Sequence, residues 1–150
     1  MIQMEIDHGV IVVGVDGSAA AERAIDWALE EATVHGDAVL LVHAWQYPVV
    51  AMTAFHSQAW PALEHGEVER VAKDALDAVT ETGRKLAPEV RVDSRLVEGH
   101  PGEVLLDASG AARLLVVGSR GLGGFTGMLL GSVSSSCVHH GRCPVVVVRD

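Results

Sequence analysis

Short apolar runs alternate along this chain with longer segments whose apolar residues recur at helical spacing. The pattern predicts five strands, four of them almost continuously apolar, as is typical of strands covered on both faces of a parallel sheet. The predicted strands cover residues 10–15, 39–44, 90–97, 114–117 and 145–148.

Four helices are predicted between these strands. Capping residues, a first-turn proline and terminal glycines place their ends. The helices lie between Ser18 and Gly36, between Glu67 and Leu86, between Pro101 and Ala112, and between Ser132 and His140. In the second helix, the residues predicted to face the core are Val68, Val71, Ala72, Ala75, Leu76 and Val79.

The alternating order of strands and helices predicts an open, doubly wound α/β fold with right-handed crossovers. The 150 residues are enough for one domain with its own core, so we expect a single domain over 1–150.

Composition excludes several classes of protein. The formal net charge of −9 argues against a nucleic-acid partner, because binding a phosphate backbone relies on Lys and Arg. No apolar run approaches the roughly 18 residues of a membrane span, and the first residues lack the pattern of a signal peptide. Cys137 and Cys143 are expected to be reduced thiols, and their neighbouring histidines lack zinc-site spacing. We therefore expect a cytoplasmic location.

One connection is unusually long. The segment 45–65 follows the second strand, where about 2–6 residues are the norm. It carries four of the six aromatic residues, which are Trp45, Tyr47, Phe55 and Trp60. Two interpretations stay open: a loop packed as satellite core, or a lid over a ligand or partner surface.

Glycine-rich turns follow the first and fourth strands, at the sheet edge where ligands bind in such folds. After the fourth strand the glycines are spaced G-x2-G-x9-G-S, at Gly118, Gly121 and Gly131. Gly118 and Gly121 permit positive φ and close backbone approach, and Gly131 leaves room at a helix start whose N–H groups attract phosphate. Nearby hydroxyls and a cation, on Ser132, Ser134 and Arg120, supply further donors.

This pattern is neither a P-loop, which would place a lysine before the serine, nor a dinucleotide fingerprint, which would follow the first strand as GxGxxG. In the first turn, Asp16 could accept hydrogen bonds from a ribose hydroxyl or an adenine amine. The alternative is a turn acid that binds its own backbone.

Four segments together resemble the universal stress protein family over essentially the whole chain: VGVDGS, LLVHAW, VEGHPGEVLLDAS and VVGSRGLGGFTGMLLGSVSSSCVHHGRCPVVVVR. The glycine spacing is similar to that of the family's ATP-binding branch. The resemblance implies a Rossmann-like sheet of the adenine nucleotide alpha hydrolase type, with strand order 3-2-1-4-5.

The resemblance also implies a site for ATP. Asp16 is the only obvious acid near the phosphates, so it is the residue that could hold an accompanying Mg²⁺. Gly14 and Asp16 would line the adenosine side, Ala44 would meet adenine through its backbone, and the later residues would hold ribose and phosphates. The implied site residues are Gly14, Val15, Asp16, Ala44, Gly118, Ser119, Arg120, Gly121, Gly131, Ser132, Val133 and Ser134. Two departures from the family are the loose Gly123-Gly124 pair and the small Ala44.

No nucleophile with a base and an orienting group can be picked out, so little or no hydrolysis is expected. His139 and His140 are predicted in the last turn of a helix, where positive charge suits the helix dipole. His43 is expected to be a core residue with its hydrogen bonds satisfied, and His100 is a candidate ligand contact. The function that the resemblance implies is a nucleotide-dependent stress-response regulator or switch. Two alternatives stay open: a slow nucleotide phosphate hydrolase, or a protein-interaction module using the aromatic segment 45–65.

An apolar strand at the end of the sheet invites pairing with another chain. The resemblance implies a homodimer through residues 144–149, and the protein partner of the switch is unknown.

Overall fold

Five parallel strands form one sheet in the described part of this computed structural model, which is residues 9–47, 64–121 and 130–149. The strands are β1 (Val10–Gly14), β2 (Ala38–Trp45), β3 (Val92–Glu98), β4 (Leu114–Gly118) and β5 (Val145–Val148). Their order is β3-β2-β1-β4-β5, and every neighbouring pair is parallel. The strand order implied by the family resemblance is therefore confirmed. Strand order reverses between β1 and β4, which opens a crevice beyond their carboxyl ends.

Four helices connect the strands within the described residues. They are α1 (Ala19–His35), α2 (His65–Leu86), α3 (Pro101–Ala108) and α4 (Ser132–His140). The predicted ends of α1 are confirmed: Ser18 Oγ accepts the N–H of Ala21 at 3.1 Å, and Gly36 closes the helix in the left-handed region at φ 73°. In the described ranges, none of the helices combines the length and apolar character that crossing a bilayer requires.

Helix α3 is shorter than predicted, ending at Ala108 instead of near Ala112. The N–H of Ala112 bonds the carbonyl of Ser109 at 3.1 Å, in a turn beyond the helix. One residue later, the N–H of Arg113 already bonds the carbonyl of Val10 at 2.9 Å. The chain must leave the helix early because it begins pairing with β1 there.

Apolar side chains cover both faces of the sheet, as the near-continuous apolar strands predict. One face packs Ile11 and Val13 against α1 and α2, and the other packs Val12 and Val117 against α3 and α4. The crevice at the strand ends is thus framed by helices from both layers.

Candidate functional site

A cavity of about 100 Å³ lies at the carboxyl ends of β1 and β4, where strand order reverses. It is bounded by the β1–α1 turn, the end of β2, the starts of α3 and α4, and the chain that follows β4. Its lining residues are Gly14, Val15, Asp16, Ser18, Ala21, Val42, Ala44, Pro101, Leu105, Val117, Gly118, Arg120, Gly121, Gly131, Val133 and Ser134. All the predicted site residues line it except Ser119 and Ser132.

The β1–α1 turn holds the carboxylate of Asp16 in the cavity wall. Asp16 Oδ1 accepts the N–H of Ser18 at 2.9 Å, so the turn-acid interpretation describes one of its two oxygens. The other oxygen faces the chain after β4, because a Cβ atom built on Gly121 would lie 2.7 Å from Asp16 Oδ2. Gly17 makes the turn possible with a φ of 81°. One carboxylate oxygen thus fixes the turn while the other stays beside Gly121.

Gly118 and Gly121 are expected from the sequence to permit positive φ and close backbone approach, and the structure uses the close approach but not the positive φ. Among the described glycines, positive φ occurs at Gly17, Gly36 and Gly99. The glycine at 118 is needed for close packing, since a Cβ atom there would lie 2.7 Å from the Cβ and 2.8 Å from the backbone carbon of Ala20 in α1. At Gly121 the Asp16 carboxylate leaves no room for a Cβ atom.

The first turn of α4 borders the cavity. Gly131 occupies the N-cap position, and no side chain in the described residues caps this helix. The first turn of a helix has N–H groups without intrahelical partners, and together with the helix dipole they favour an anion. Val133 and Ser134 of this turn line the cavity.

Ser119 joins the two ends of the loop between β4 and α4. Its carbonyl accepts the N–H of Gly131 at 2.7 Å and the hydroxyl of Ser134 at 3.0 Å, while its own N–H donates to Val148 at 2.9 Å. The Ser134 hydroxyl also lies 3.1 Å from the carbonyl of Gly131. Because its hydrogen is directed at backbone carbonyls, the Ser134 hydroxyl is not available as the predicted donor to a phosphate. Ser132 is exposed and lies outside the lining.

Sequence reasoning missed several apolar lining residues, notably Val42, Pro101 and Leu105. Val42 could have been found, because it precedes Ala44 by two positions and therefore lies on the same face of β2. Pro101 was recognised as a helix start, but the approach of α3 to the cavity depends on packing between elements distant in sequence.

The described ends of the aromatic segment pack together beside β2 and β3. Trp45 is buried and meets the ring of His65 edge-on, with centroids 4.9 Å apart, and the Tyr47 ring lies 5.5 Å from His65. His65 Nε2 lies 3.1 Å from Glu98 Oε1. These contacts are consistent with the first interpretation, a loop packed as satellite core, for the two described ends of the segment. Phe55 and Trp60 lie outside the described residues, as do Gly123 and Gly124.

The remaining histidine predictions have separate outcomes. His43 is satisfied, as predicted: its Nδ1 lies 2.6 Å from the carbonyl of Val15. His139 lies in the last turn of α4, with Nδ1 2.7 Å from the carbonyl of Ser135. His100 is exposed at the N-cap of α3 and does not line the cavity. Within the described ranges, no three His, Cys, Asp or Glu side chains are grouped so that they could hold a metal ion.

The switch-point cavity and the uncapped start of α4 define a doubly wound α/β protein with a place for an anionic ligand. The sequence profile of the universal stress protein family matches residues 8–149, and this chain belongs to that family. A universal stress protein of Mycobacterium tuberculosis strain H37Rv is 37% identical over 143 residues, which are 95% of this chain and 46% of that protein. The chain thus spans about half the length of the curated relatives it matches.

Solved structures of universal stress proteins share the fold. One from Lactobacillus plantarum superposes with a TM-score of 0.75 at 22% identity, covering 95% of this chain and 98% of that one. Another, solved in complex with cAMP, superposes with a TM-score of 0.61 at 28% identity, covering 94% of this chain and 96% of that one.

Proposed function

We propose that this chain binds an adenine nucleotide, ATP in particular, in the switch-point cavity, and acts as a nucleotide-dependent switch in the stress response. The observation that carries the proposal is the start of α4. Its first turn has no side-chain cap in the described residues, and it faces a cavity that also contains Asp16 and the small residues Gly118 and Gly121. The cAMP complex of a relative supports the same ligand class.

The two sides of the cavity suit the two ends of a nucleotide. Apolar residues at the end of β2, Val42 and Ala44, lie beside Asp16 and suit adenosine. Arg120, Gly131 and the α4 amides suit the phosphates, because oriented N–H groups and a cation stabilise negative charge. In this proposal Ser119 closes the loop rather than touching the ligand, and Ser132 contributes through its position in the first turn.

The lining favours holding ATP over cleaving it. Phosphoryl transfer needs metal-holding acids and a positioned nucleophile. Asp16 is the one acid in the described lining, and one of its oxygens is already bonded to the N–H of Ser18. The second oxygen would remain for an accompanying Mg²⁺. We therefore propose little or no hydrolysis.

The test is a carboxylate placed at the N-cap of α4 by the substitution Gly131→Asp. The site accepts a side chain, because φ is −71° and a Cβ atom would meet its nearest neighbours at 3.5 Å. Aspartate is a good N-cap residue, so stability should change by only a few tenths of a kcal/mol, about the difference between Gly and Asp caps. Its charge would occupy the position proposed for phosphate and repel it.

Isothermal titration of the purified protein is expected to show ATP affinity about 100-fold weaker in Gly131→Asp, since like charges in close contact cost several kcal/mol. Adenosine, which has no phosphate, should bind both proteins alike. The isosteric Gly131→Asn variant is the matched control and should lose much less ATP affinity. If wild-type protein binds no adenine nucleotide, or if Gly131→Asp binds ATP as wild type does, the proposal is wrong.

The switch would act as a homodimer through residues 144–149, with an unidentified protein partner. The edge position of β5 supports the dimer. We also propose a cytoplasmic location, supported by the two free thiols of Cys137 and Cys143.

A further inference from the structure

One imidazole lies behind the cavity, bonded to its wall without contributing to its lining. His43 Nδ1 is 2.6 Å from the carbonyl oxygen of Val15, and His43 is not among the lining residues. A carbonyl oxygen only accepts hydrogen bonds, so Nδ1 must carry the hydrogen and donate it. His43 therefore fixes the backbone of the β1–α1 turn from the far side.

Both backbone groups of Val15 are bonded to β2. Its N–H donates to the carbonyl of Val42 at 2.9 Å, and its carbonyl accepts from His43. Strand β1 itself ends one residue earlier, at Gly14. The two bonds thus hold the chain against β2 beyond the end of the strand, immediately before Asp16.

The position of Asp16 follows from this attachment. Its carboxylate is tied to the N–H of Ser18 on one side and lies against Gly121 on the other, where a Cβ atom would have no room. A shift of the Val15 carbonyl would move Asp16 relative to Gly121. It would also move Asp16 relative to Ala44, the residue that follows His43 in β2.

We propose that His43 is a positioning residue, which holds Asp16 at a fixed place between the end of β2 and the chain after β4 and so preorganises the cavity for its ligand. This inference rests on the proposed function, because it concerns the affinity of the same cavity. The imidazole touches no ligand. Its effect is transmitted through the carbonyl of Val15.

The test compares three substitutions at position 43. His43→Leu replaces the imidazole by a side chain of similar size that has no hydrogen-bond donor, so the Val15 carbonyl loses its partner. His43→Asn places an N–H donor at the same distance along the side chain as Nδ1, whereas His43→Gln places its donor one atom further out. Affinities for ATP and adenosine are measured by titration calorimetry, and amide hydrogen exchange is followed at Ser18 without ligand.

His43→Leu is expected to weaken ATP and adenosine binding by about the same factor, roughly tenfold, because the ligand would then have to restore the position of the turn that the His43 hydrogen bond fixes in the wild type. The amide of Ser18 should exchange faster. His43→Asn should restore both properties and His43→Gln should not, a pattern that a role confined to filling space would not produce.

His139→Leu is the matched control, because it removes another Nδ1 contact to a backbone carbonyl, at 2.7 Å, outside the cavity lining. It should leave both affinities unchanged. Wild-type ATP affinity in His43→Leu, or equal affinities in the Asn and Gln variants, would overturn the inference. Absence of nucleotide binding by the wild type would instead overturn the proposed function, and faster exchange at Ser18 in His43→Leu would still show that His43 holds the turn.

Discussion

At the scale of single residues, Cys137 is a thiol enclosed in the core beneath the cavity. It is fully buried among Val12, Leu115 and Val117. Burial raises the pKa of Cys137 from its ordinary value of 9.0 to about 11, with a smaller contribution from Cys143. Because the thiolate is the reactive form, this thiol should be inert in the folded protein.

We expect Cys137 to resist a chromogenic disulfide reagent at pH 8 until the protein is unfolded. In a Cys143→Ser variant, the native protein should release no chromophore and the denatured protein one equivalent. Since the folded-state pKa is raised, the thiol's contribution to stability is present below about pH 9 and is lost as the pH rises toward 11. Rapid labelling of native Cys143→Ser protein would contradict the prediction.

Local residue chemistry could be predicted from the sequence where both partners are close along the chain. The cap at Ser18 and the left-handed Gly36 belong to this group, and so does the bond from Ser18 to Asp16. The role of Gly118 could not be predicted, because the atom that excludes a side chain belongs to Ala20, which is distant in sequence. Local patterns carry no information about such long-range contacts.

At the scale of elements, the approach of α1 to β4 depends on Gly118. A methyl group there would lie under 3.0 Å from the Cβ and backbone carbon of Ala20, so the helix would have to move. Gly118→Ala is expected to lower the free energy of unfolding by about 1–3 kcal/mol, the usual cost of overpacking. Urea denaturation followed by circular dichroism measures it.

Gly66→Ala is the matched control for that substitution. Gly66 lies in α2, where a Cβ atom would meet nothing within 4 Å, so alanine should leave stability unchanged or raise it by up to about 1 kcal/mol. Equal stability of Gly118→Ala and wild type would show that α1 does not need the close approach. Loss of nucleotide affinity in Gly118→Ala would not by itself identify a ligand contact, because the same substitution disturbs the fold.

The buried face of α2 shows where helical periodicity stops being informative. Of the apolar positions predicted to face the core, Leu76 is buried, whereas Val71 is 62% exposed. The other buried positions are Thr80 and Gly83, in the second half of the helix. A Cβ atom on Gly83 would meet Val92 and Leu29 at 3.7 and 3.8 Å. Periodicity gives the direction of a face, but packing decides how much of the helix is covered.

At the scale of the whole molecule, strand order is what brings the site together. Hydrophobic pattern alone predicted the parallel α/β class, and the order that puts β1 beside β4 came from the family resemblance. Only that order places Asp16 next to Gly121 and opposite the start of α4. The role proposed for His43 could be inferred only from the structure, because the sequence shows a histidine in an apolar strand but not which group it bonds.

The last strand provides the basis for predicting assembly. Its four valines are all half-buried, and in the described residues no strand lies beyond β5. The carbonyl of Pro144 accepts the N–H of Leu115 in β4 at 3.0 Å, and the carbonyl of Val148 accepts the N–H of Ser119, one residue beyond β4, at 2.9 Å. The N–H and C=O groups of successive residues in a strand point to alternate sides within the sheet. Those of Val146 therefore face β4, and those of Val147 point outward from the edge of the sheet.

We therefore expect a homodimer in sedimentation experiments and predict that Val147→Pro converts it to a monomer. Proline removes an N–H that β4 does not use and is tolerated on edge strands, so circular dichroism should change little. The unfolding midpoint should fall slightly, because the Val147 side chain packs against the core cluster below it. Val146→Pro is the contrasting variant: it removes an N–H of the β4–β5 ladder and should destabilise the fold itself. A monomeric wild type, or a Val147→Pro variant that stays dimeric at the same concentration, would rule out pairing through this edge, because the outward N–H of Val147 is central to a strand-to-strand contact there.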